Sequence, residues 1–213
     1  MNLIVLGAPG AGKGTQARSL AQKFNLKHIS TGDLLRKKVN SKSDIGLKIS
    51  SLINKGMLVS DELATQLLKE ELPKENFILD GYPRTLNQAK ILDDMNLKID
   101  KVICVEVKDK IIVERMSGRK ICPNCSSMYH DFYHPPNKIN VCDNCNSNLV
   151  QRDDDKMMTV LDRLKIYHEL TEPIINFYAA KKILLRVDGT DSINKITEFI
   201  INRLEEFQNA YND

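Results

Sequence analysis

The sequence predicts an α/β fold: a five-stranded parallel sheet with helices on both faces, interrupted by two insertions. Three observations lead there. Short apolar runs alternate with helical patterns along the 213 residues, the order that builds parallel sheets covered on both faces. The first apolar run, Leu3 to Leu6, passes directly into a glycine-rich loop and then a helical pattern. Residues 30–59 and 118–155 break the alternation and read as insertions. The balance of 42% hydrophobic and 28% charged residues suits a soluble globular chain long enough to bury a core.

Leu3 to Leu6 is short enough for a buried strand. It meets Gly7-Ala8-Pro9-Gly10-Ala11-Gly12-Lys13, the Gly-x4-Gly-Lys spacing of a phosphate-binding loop. Glycines let several backbone N–H groups point at one anion, and the helix that follows brings its positive dipole end to the same point. Lys13 adds a full charge for the β- and γ-phosphates. Gly14 stands where Ser or Thr is usual, and the hydroxyl comes one residue later, making Thr15 the candidate for a Mg²⁺ shell or an α-phosphate. The helix closes over Phe24 to Lys27, and His28 to Ser30 is a second strand.

Thr31-Gly32-Asp33 starts a helix with Leu34 and Leu35 on its buried side, and a second helix runs from Asp44 to Asn54 with Gly56 as its C-cap. Ser60 caps a helix to Leu72. Phe77 to Asp80 is the third strand and runs into Gly81-Tyr82-Pro83-Arg84-Thr85. An acid at that strand end, beside the loop strand, is placed to order water around Mg²⁺; a turn-forming Asp before Gly is the plainer alternative. Thr85 to Met95 is helical, Val102 to Val107 is the fourth strand, and Lys110 to Met116 is a helix. Met157 to Ala180 is a long helix that Pro173 ends or kinks. Ile183 to Val187 is the fifth strand, and Ser192 caps a last helix to Asn209. Ligands are expected at the C-terminal strand ends, where the glycine loop, Asp80 and the loop after Val187 fall.

The segment 118–155 carries Cys122, Cys125, Cys142 and Cys145 in the spacing Cys-x2-Cys-x16-Cys-x2-Cys. Two tight thiol pairs supply the corners of a tetrahedral, closed, structural Zn²⁺ site. Two disulfides or a redox pair are the alternatives, and the expected cytosolic location disfavours them. That location follows from an N-terminus that enters the first strand without a signal peptide, and no apolar run reaches membrane length. A net charge of +3, with Asp131, Asp143 and Asp153 to Asp155 near the cysteines, argues against a nucleic-acid surface. No apolar stripe is left over, so a monomer is expected.

Arg36, Arg84, Arg115, Arg119, Arg152 and Arg163 lie on different elements. Each alone reads as a solvated charge; together, beside a phosphate loop, they can clamp the spread charge of a transferring phosphoryl group. Spacing cannot establish their convergence. No Ser elbow, His–Asp pair or free nucleophilic thiol stands out, which fits a reaction whose two substrates bring their own chemistry.

Taken together, the chain resembles adenylate kinases of the long-lid, zinc-containing bacterial type. Gly7 to Thr15 is similar to the family's phosphate loop, including Gly after Lys. Ser30 to Arg36 and Gly56 to Asp61 resemble its nucleotide-monophosphate (NMP) insertion, and Asp80 to Thr85 with Gln88 is its most specific signature. Gly118-Arg119, the cysteines and Arg152 to Asp155 resemble its lid. Asp162-Arg163-Leu164 and Val187 to Thr190 complete a match that spans nearly the whole chain.

The resemblance implies a P-loop NTPase-like core over 1–29, 60–117 and 156–213, a helical NMP-binding insertion over 30–59 and a zinc-bearing lid over 118–155. It implies Mg·ATP + AMP ⇌ 2 ADP, with no nucleic-acid or membrane partner. Gly10, Ala11, Gly12, Lys13, Gly14 and Thr15 would bind ATP with Arg115, Arg119, Met128, Tyr129 and Asp191. Thr31, Arg36, Met57, Leu58, Val59, Gly81, Tyr82, Pro83, Arg84 and Gln88 would bind AMP, Arg84 at its phosphate and Gln88 at its adenine edge, with Arg152 and Arg163 shared. Lys13, Arg84, Arg119, Arg152 and Arg163 would be catalytic, Thr15 and Asp80 would hold Mg²⁺ indirectly, and the four cysteines would bind Zn²⁺. Two other readings stay open: a kinase for UMP, CMP or GMP, and a non-catalytic zinc-ribbon nucleic-acid-binding protein.

Overall fold

A computed structural model of the protein describes residues 1–41 and 43–212, the last three by backbone alone. Lys42 and Asp213, which fall in the expected segments 30–59 and 156–213, lie outside the described residues. The chain opens with β1 (Asn2–Gly7), buried along its whole length. Side chains alternate across a strand: Leu3 and Val5 join one apolar cluster, Ile4 and Leu6 the other. The glycine loop leads into α1 (Lys13–Phe24) and then β2 (Lys27–Ser30). α2 (Thr31–Asn40) and α3 (Asp44–Asn54) start at Ser30 and Ser43, whose hydroxyls accept from the N–H groups of Asp33 and Gly46. Ser60 caps α4 (Asp61–Glu71) in the same way, accepting from Leu63 N–H.

β3 (Phe77–Asp80) is followed by α5 (Leu86–Asp94), β4 (Lys101–Glu106) and α6 (Asp109–Ser117). The cysteine-bearing segment then forms β5 (Arg119–Ile121) and β6 (Met128–His130), a small antiparallel pair that the sequence reading does not foresee. Three-residue strands carry too little alternation to be seen.

The stretch expected as one helix from Met157 is divided. α7 (Met157–Ile166) runs into a π-helical turn over Tyr167–Thr171, and α8 (Pro173–Ala180) follows with Pro173 in its first turn. Pro173 has no N–H, and its ring would strike the carbonyl four residues back in a regular helix. The turn widens instead, and Glu172 N–H donates to the Tyr167 carbonyl, five residues back, at 2.8 Å. β7 (Leu184–Asp188) and α9 (Ile193–Asn212) complete the chain.

The sheet order is β2-β3-β1-β4-β7, with every neighbouring pair parallel. One face packs on α1 and α9 through Ala17, Leu20, Ile196, Ile200 and Leu204. The other packs on α4, α5 and α8 through Leu67, Leu68, Ala89, Leu92, Ile174 and Tyr178. Each buried Leu or Ile among them contributes about 1.5–3 kcal/mol by leaving water. β1 is therefore held on every side, and the loop at its end inherits that rigidity. Among the described residues no helix is long and apolar enough to cross a membrane.

Candidate active site

The glycine loop leaves β1 at the centre of the sheet. Gly12 takes a left-handed backbone (φ 99°) that a side chain would strain, and the helix starts on the next residue. No side chain caps α1 and no acid sits in its first turn, so its leading N–H groups remain available to an anion. Lys13 Nζ turns back to donate to the Ala8 carbonyl at 2.8 Å. Burial draws its pKa down to about 7, and the nearby guanidiniums of Arg84, Arg163 and Arg119 add to this against the pull of Asp80.

Asp80 ends β3 directly opposite Val5 of β1. Its carboxyl is held below the ordinary range although burial pushes it up; contact with His28, then the charges of Lys13 and Arg84, outweigh that penalty. His28 Nε2 stands 3.5 Å from Asp80 Oδ2. Room for a side chain at Gly14, after Lys13, is short here. A Cβ on Gly14 would lie 3.0 Å from Asp80 Oδ2 and 3.0 Å from Met128 Cε.

The loop after Asp80 is tied down by polar contacts. Arg84 Nε donates to the Gly81 carbonyl at 2.8 Å and Arg84 N–H to Gln88 Oε1 at 2.7 Å. Gln88 Nε2 donates to Asp61 Oδ1 at 2.8 Å, and Asp61 also accepts from Thr85 and Asn87. Thr31 Oγ1 donates to the Gly81 carbonyl at 2.6 Å.

Opposite the loop stand Arg119, Arg152 and Arg163, held by two buried acids. Arg119 donates through Nε and Nη2 to the two carboxylate oxygens of Asp155. Arg152 Nε donates to Asp154 Oδ1 at 3.1 Å and Arg163 Nη1 to Asp154 Oδ2 at 2.7 Å. Burial lowers Arg152 to about 9 and Arg163 to about 10, which leaves both charged at neutral pH. The sequence reading takes Asp154 and Asp155 as part of an acidic, lid-like run and not as partners of these arginines, because acids in a run beside Lys and Arg look solvated. Their signal is adjacency to Arg152, with Arg163 following within three helical turns.

These groups face one cavity of about 860 Å³, near the upper end of the usual ligand-site range of about 300–1,000 Å³. Its wall includes Gly10 to Thr15, Arg36, Met57, Leu58, Asp80, Gly81, Pro83, Arg84, Arg115, Arg119, Met128, Tyr129, Arg152, Arg163 and Asp191. Arg18 and Asp154 line it too, unforeseen from sequence. Thr31, Val59, Tyr82 and Gln88 lie behind the wall, each almost fully buried. Their polar atoms are engaged within the protein, as with the Tyr82 hydroxyl, 2.8 Å from that of Thr65. Tyr129 contributes to the wall while its hydroxyl accepts from Asp143 N–H at 2.9 Å, inside the cysteine segment.

The four cysteines are free thiols, so the disulfide alternative falls. Their Sγ atoms lie within 4.8 Å of one another, with Cys122–Cys145 at 3.3 Å and Cys125–Cys142 at 3.5 Å. A tetrahedral Zn²⁺ with bonds of about 2.3 Å has edges of about 3.8 Å, which the cluster matches. The two pairs are built alike: Cys122 N–H donates to the Ser127 carbonyl and Cys142 N–H to the Ser147 carbonyl, both at 2.9 Å. Hydrogen bonding from Ser147 draws the Cys145 thiol down to about 5, towards the thiolate that binds metal.

Fold and site define a class: an α/β phosphate-loop protein whose loop faces a ring of guanidiniums across one cavity. The adenylate kinase family model matches residues 5–183. The chain is 47% identical to the adenylate kinase of Caldicellulosiruptor bescii over 212 residues, covering 96% of this chain and 99% of that one. It is 45% identical to that of Acetivibrio thermocellus and 43% to that of Clostridium tetani, each over 96% of this chain and 98% of the relative. The chain belongs to the adenylate kinase family.

Proposed function

We infer that this chain transfers the terminal phosphoryl group of Mg-ATP to AMP, giving two ADP, and runs the reaction in reverse. One observation carries the reading: Lys13, at the end of the glycine loop, lines one cavity with Arg84, Arg119, Arg152 and Arg163. Several cations on one buried point oppose each other until a polyanion arrives. A phosphate oxygen of AMP attacks the γ-phosphorus, the bond to the β-γ bridging oxygen breaks, and ADP leaves. No side chain needs to bond covalently or move a proton. Positioning and charge neutralisation suffice, with water kept out because it could accept the phosphoryl group in place of AMP.

Roles follow from position. Gly10 to Thr15 hold the donor phosphates, with Lys13 on the transferring group, and Arg115, Arg119, Met128, Tyr129 and Asp191 hold the rest of ATP. Arg36, Met57, Leu58, Gly81, Pro83 and Arg84 face AMP, and Arg152 and Arg163 bridge the two nucleotides. Thr31, Val59, Tyr82 and Gln88 support that AMP wall from behind, Gln88 held there by Asp61 and the Arg84 N–H. Asp80 and Thr15 are the groups placed to hold the water shell of Mg²⁺, whose charge offsets that of the phosphates. Cys122, Cys125, Cys142 and Cys145 hold Zn²⁺, which stiffens a segment too small and polar for a core of its own.

Residues 1–29, 60–117 and 156–213 act as the fixed core, 30–59 as the AMP flap and 118–155 as the lid. The protein works as a cytoplasmic monomer, without nucleic-acid or membrane partners. A coupled assay of ADP formation from Mg-ATP with AMP, UMP, CMP or GMP tests the reading. Turnover with AMP is expected; turnover with UMP and none with AMP would overturn it.

A further inference from the structure

Thr171 lies in the π-helical turn forced by Pro173, buried like Thr159, Val160, Leu164, Ile174, Ile175 and Tyr178 of the flanking helices. A helical Thr commonly gives its hydroxyl to a carbonyl three or four residues back. Here the Tyr167 carbonyl, four residues back, already accepts from Glu172 N–H. Thr171 Oγ1 instead donates to the main-chain carbonyl of Arg84 at 2.9 Å, across 87 residues of sequence. Thr171 also reaches the cavity wall beside Arg84.

Arg84 is thereby fixed at three points. Its N–H goes to Gln88 at 2.7 Å, its Nε to Gly81 at 2.8 Å, and its carbonyl receives Thr171. The first two anchors belong to its own loop. The third ties that loop to the helical stretch that also carries Arg163, itself bonded to Asp154. A hydroxyl lost here leaves the Arg84 carbonyl short of a partner and its loop with one tie fewer, and misplacing a reacting group by about 1 Å can cost about a hundredfold in rate.

We propose that Thr171 is a positioning residue for phosphoryl transfer, acting through the Arg84 main chain to set the guanidinium against the acceptor phosphate. The inference rests on the AMP-kinase reading above. The test is a double-mutant cycle with steady-state kinetics. Thr171→Val, of equal shape, is expected to lower kcat/KM for AMP about tenfold or more, with KM for ATP within about twofold of wild type. Thr171→Ser, which keeps the hydroxyl, is expected to recover most of that loss. On an Arg84→Ala background, Thr171→Val is expected to change kcat/KM for AMP by less than about twofold, since nothing remains to be positioned.

An equal loss on both backgrounds would overturn the proposal, as would a Ser variant no better than Val, or a Val variant with unaltered AMP kinetics. If Thr171→Val does not fold, Thr171→Ala carries the same expectations. Wild-type protein without AMP turnover would instead remove the parent reading, and this inference with it.

Discussion

Arg163 Nη1 donates to Asp154 Oδ2 at 2.7 Å, on the carboxylate that Arg152 Nε reaches at 3.1 Å. Burial alone would raise the Asp154 pKa, but Arg163 and then Arg152 overcome that and hold it at about 2. A folded-state pKa below the unfolded one gives stability that is complete above about pH 4 and lost as pH falls towards 2. The group accounts for about 2 kcal/mol of acid sensitivity on that basis. Asp154→Asn is expected to lower Tm at pH 7, because two guanidiniums lose their buried counter-charge. Its Tm should approach that of wild type as pH is lowered towards 2. Thermal melts between pH 2 and 7 check both statements.

Lys13 is shifted in the same direction, but here burial is the cause and not the opposing effect. Its pKa of about 7 lies below the usual lysine value of 10.5 because burial disfavours the charged form. Through this group alone, stability of the free protein rises as pH climbs from about 7 to about 10. A bound polyphosphate restores the charge, so Mg-ATP binding at pH 8 is expected to take up close to one proton. Calorimetry in two buffers of different ionisation heat measures it, and Lys13→Met should abolish it. The same variant should lower kcat by about a hundredfold or more while AMP affinity changes little.

Gly14 separates steric fit from charge. A side chain there would press on Asp80 Oδ2 and Met128 Cε, each 3.0 Å from the position of a Cβ. Gly14→Ser is expected to displace Asp80 and lower kcat/KM for ATP about tenfold, with AMP affinity and Tm nearly unchanged. Kinetics at varied Mg²⁺ should show the loss growing as Mg²⁺ becomes scarce.

Metal removal should act on the lid and not on the chemistry. Chelation, or Cys142→Ser, is expected to lower Tm by about 5–10 °C and to open residues 118–155 to protease while the sheet stays folded. Zinc content, limited proteolysis and a melting curve decide it. Zinc-free protein with an unchanged Tm and a resistant lid would contradict the stiffening role.

The parts of the fold legible in sequence are those with strong local signals. β1, the glycine loop and α1 carry an apolar run, a fixed glycine spacing and a helical pattern in register. Ser60 marks a helix start, and it accepts the Leu63 N–H there. The β5–β6 pair is too short to show a period, and the widened turn before Pro173 differs from a kink only in its hydrogen bonds. At the site, residue type and spacing single out the cysteines and Lys13. The convergence of Arg84, Arg119, Arg152 and Arg163 depends on contacts between elements far apart in the chain, so resemblance alone anticipates it. Asp154, Asp155 and Thr171 are invisible for the same reason: each matters through a partner that only the fold supplies.

The arrangement rests on one point: Lys13, Arg84, Arg119, Arg152 and Arg163 line a single cavity. A crystal structure with two adenosines joined through five phosphates examines that point directly. One adenosine is expected beside Arg119 and the loop after β7, the other beside Met57 and Leu58, with all five cations on the polyphosphate between them. A complex that seats only one adenosine, or leaves those guanidiniums turned away from the phosphates, would contradict it.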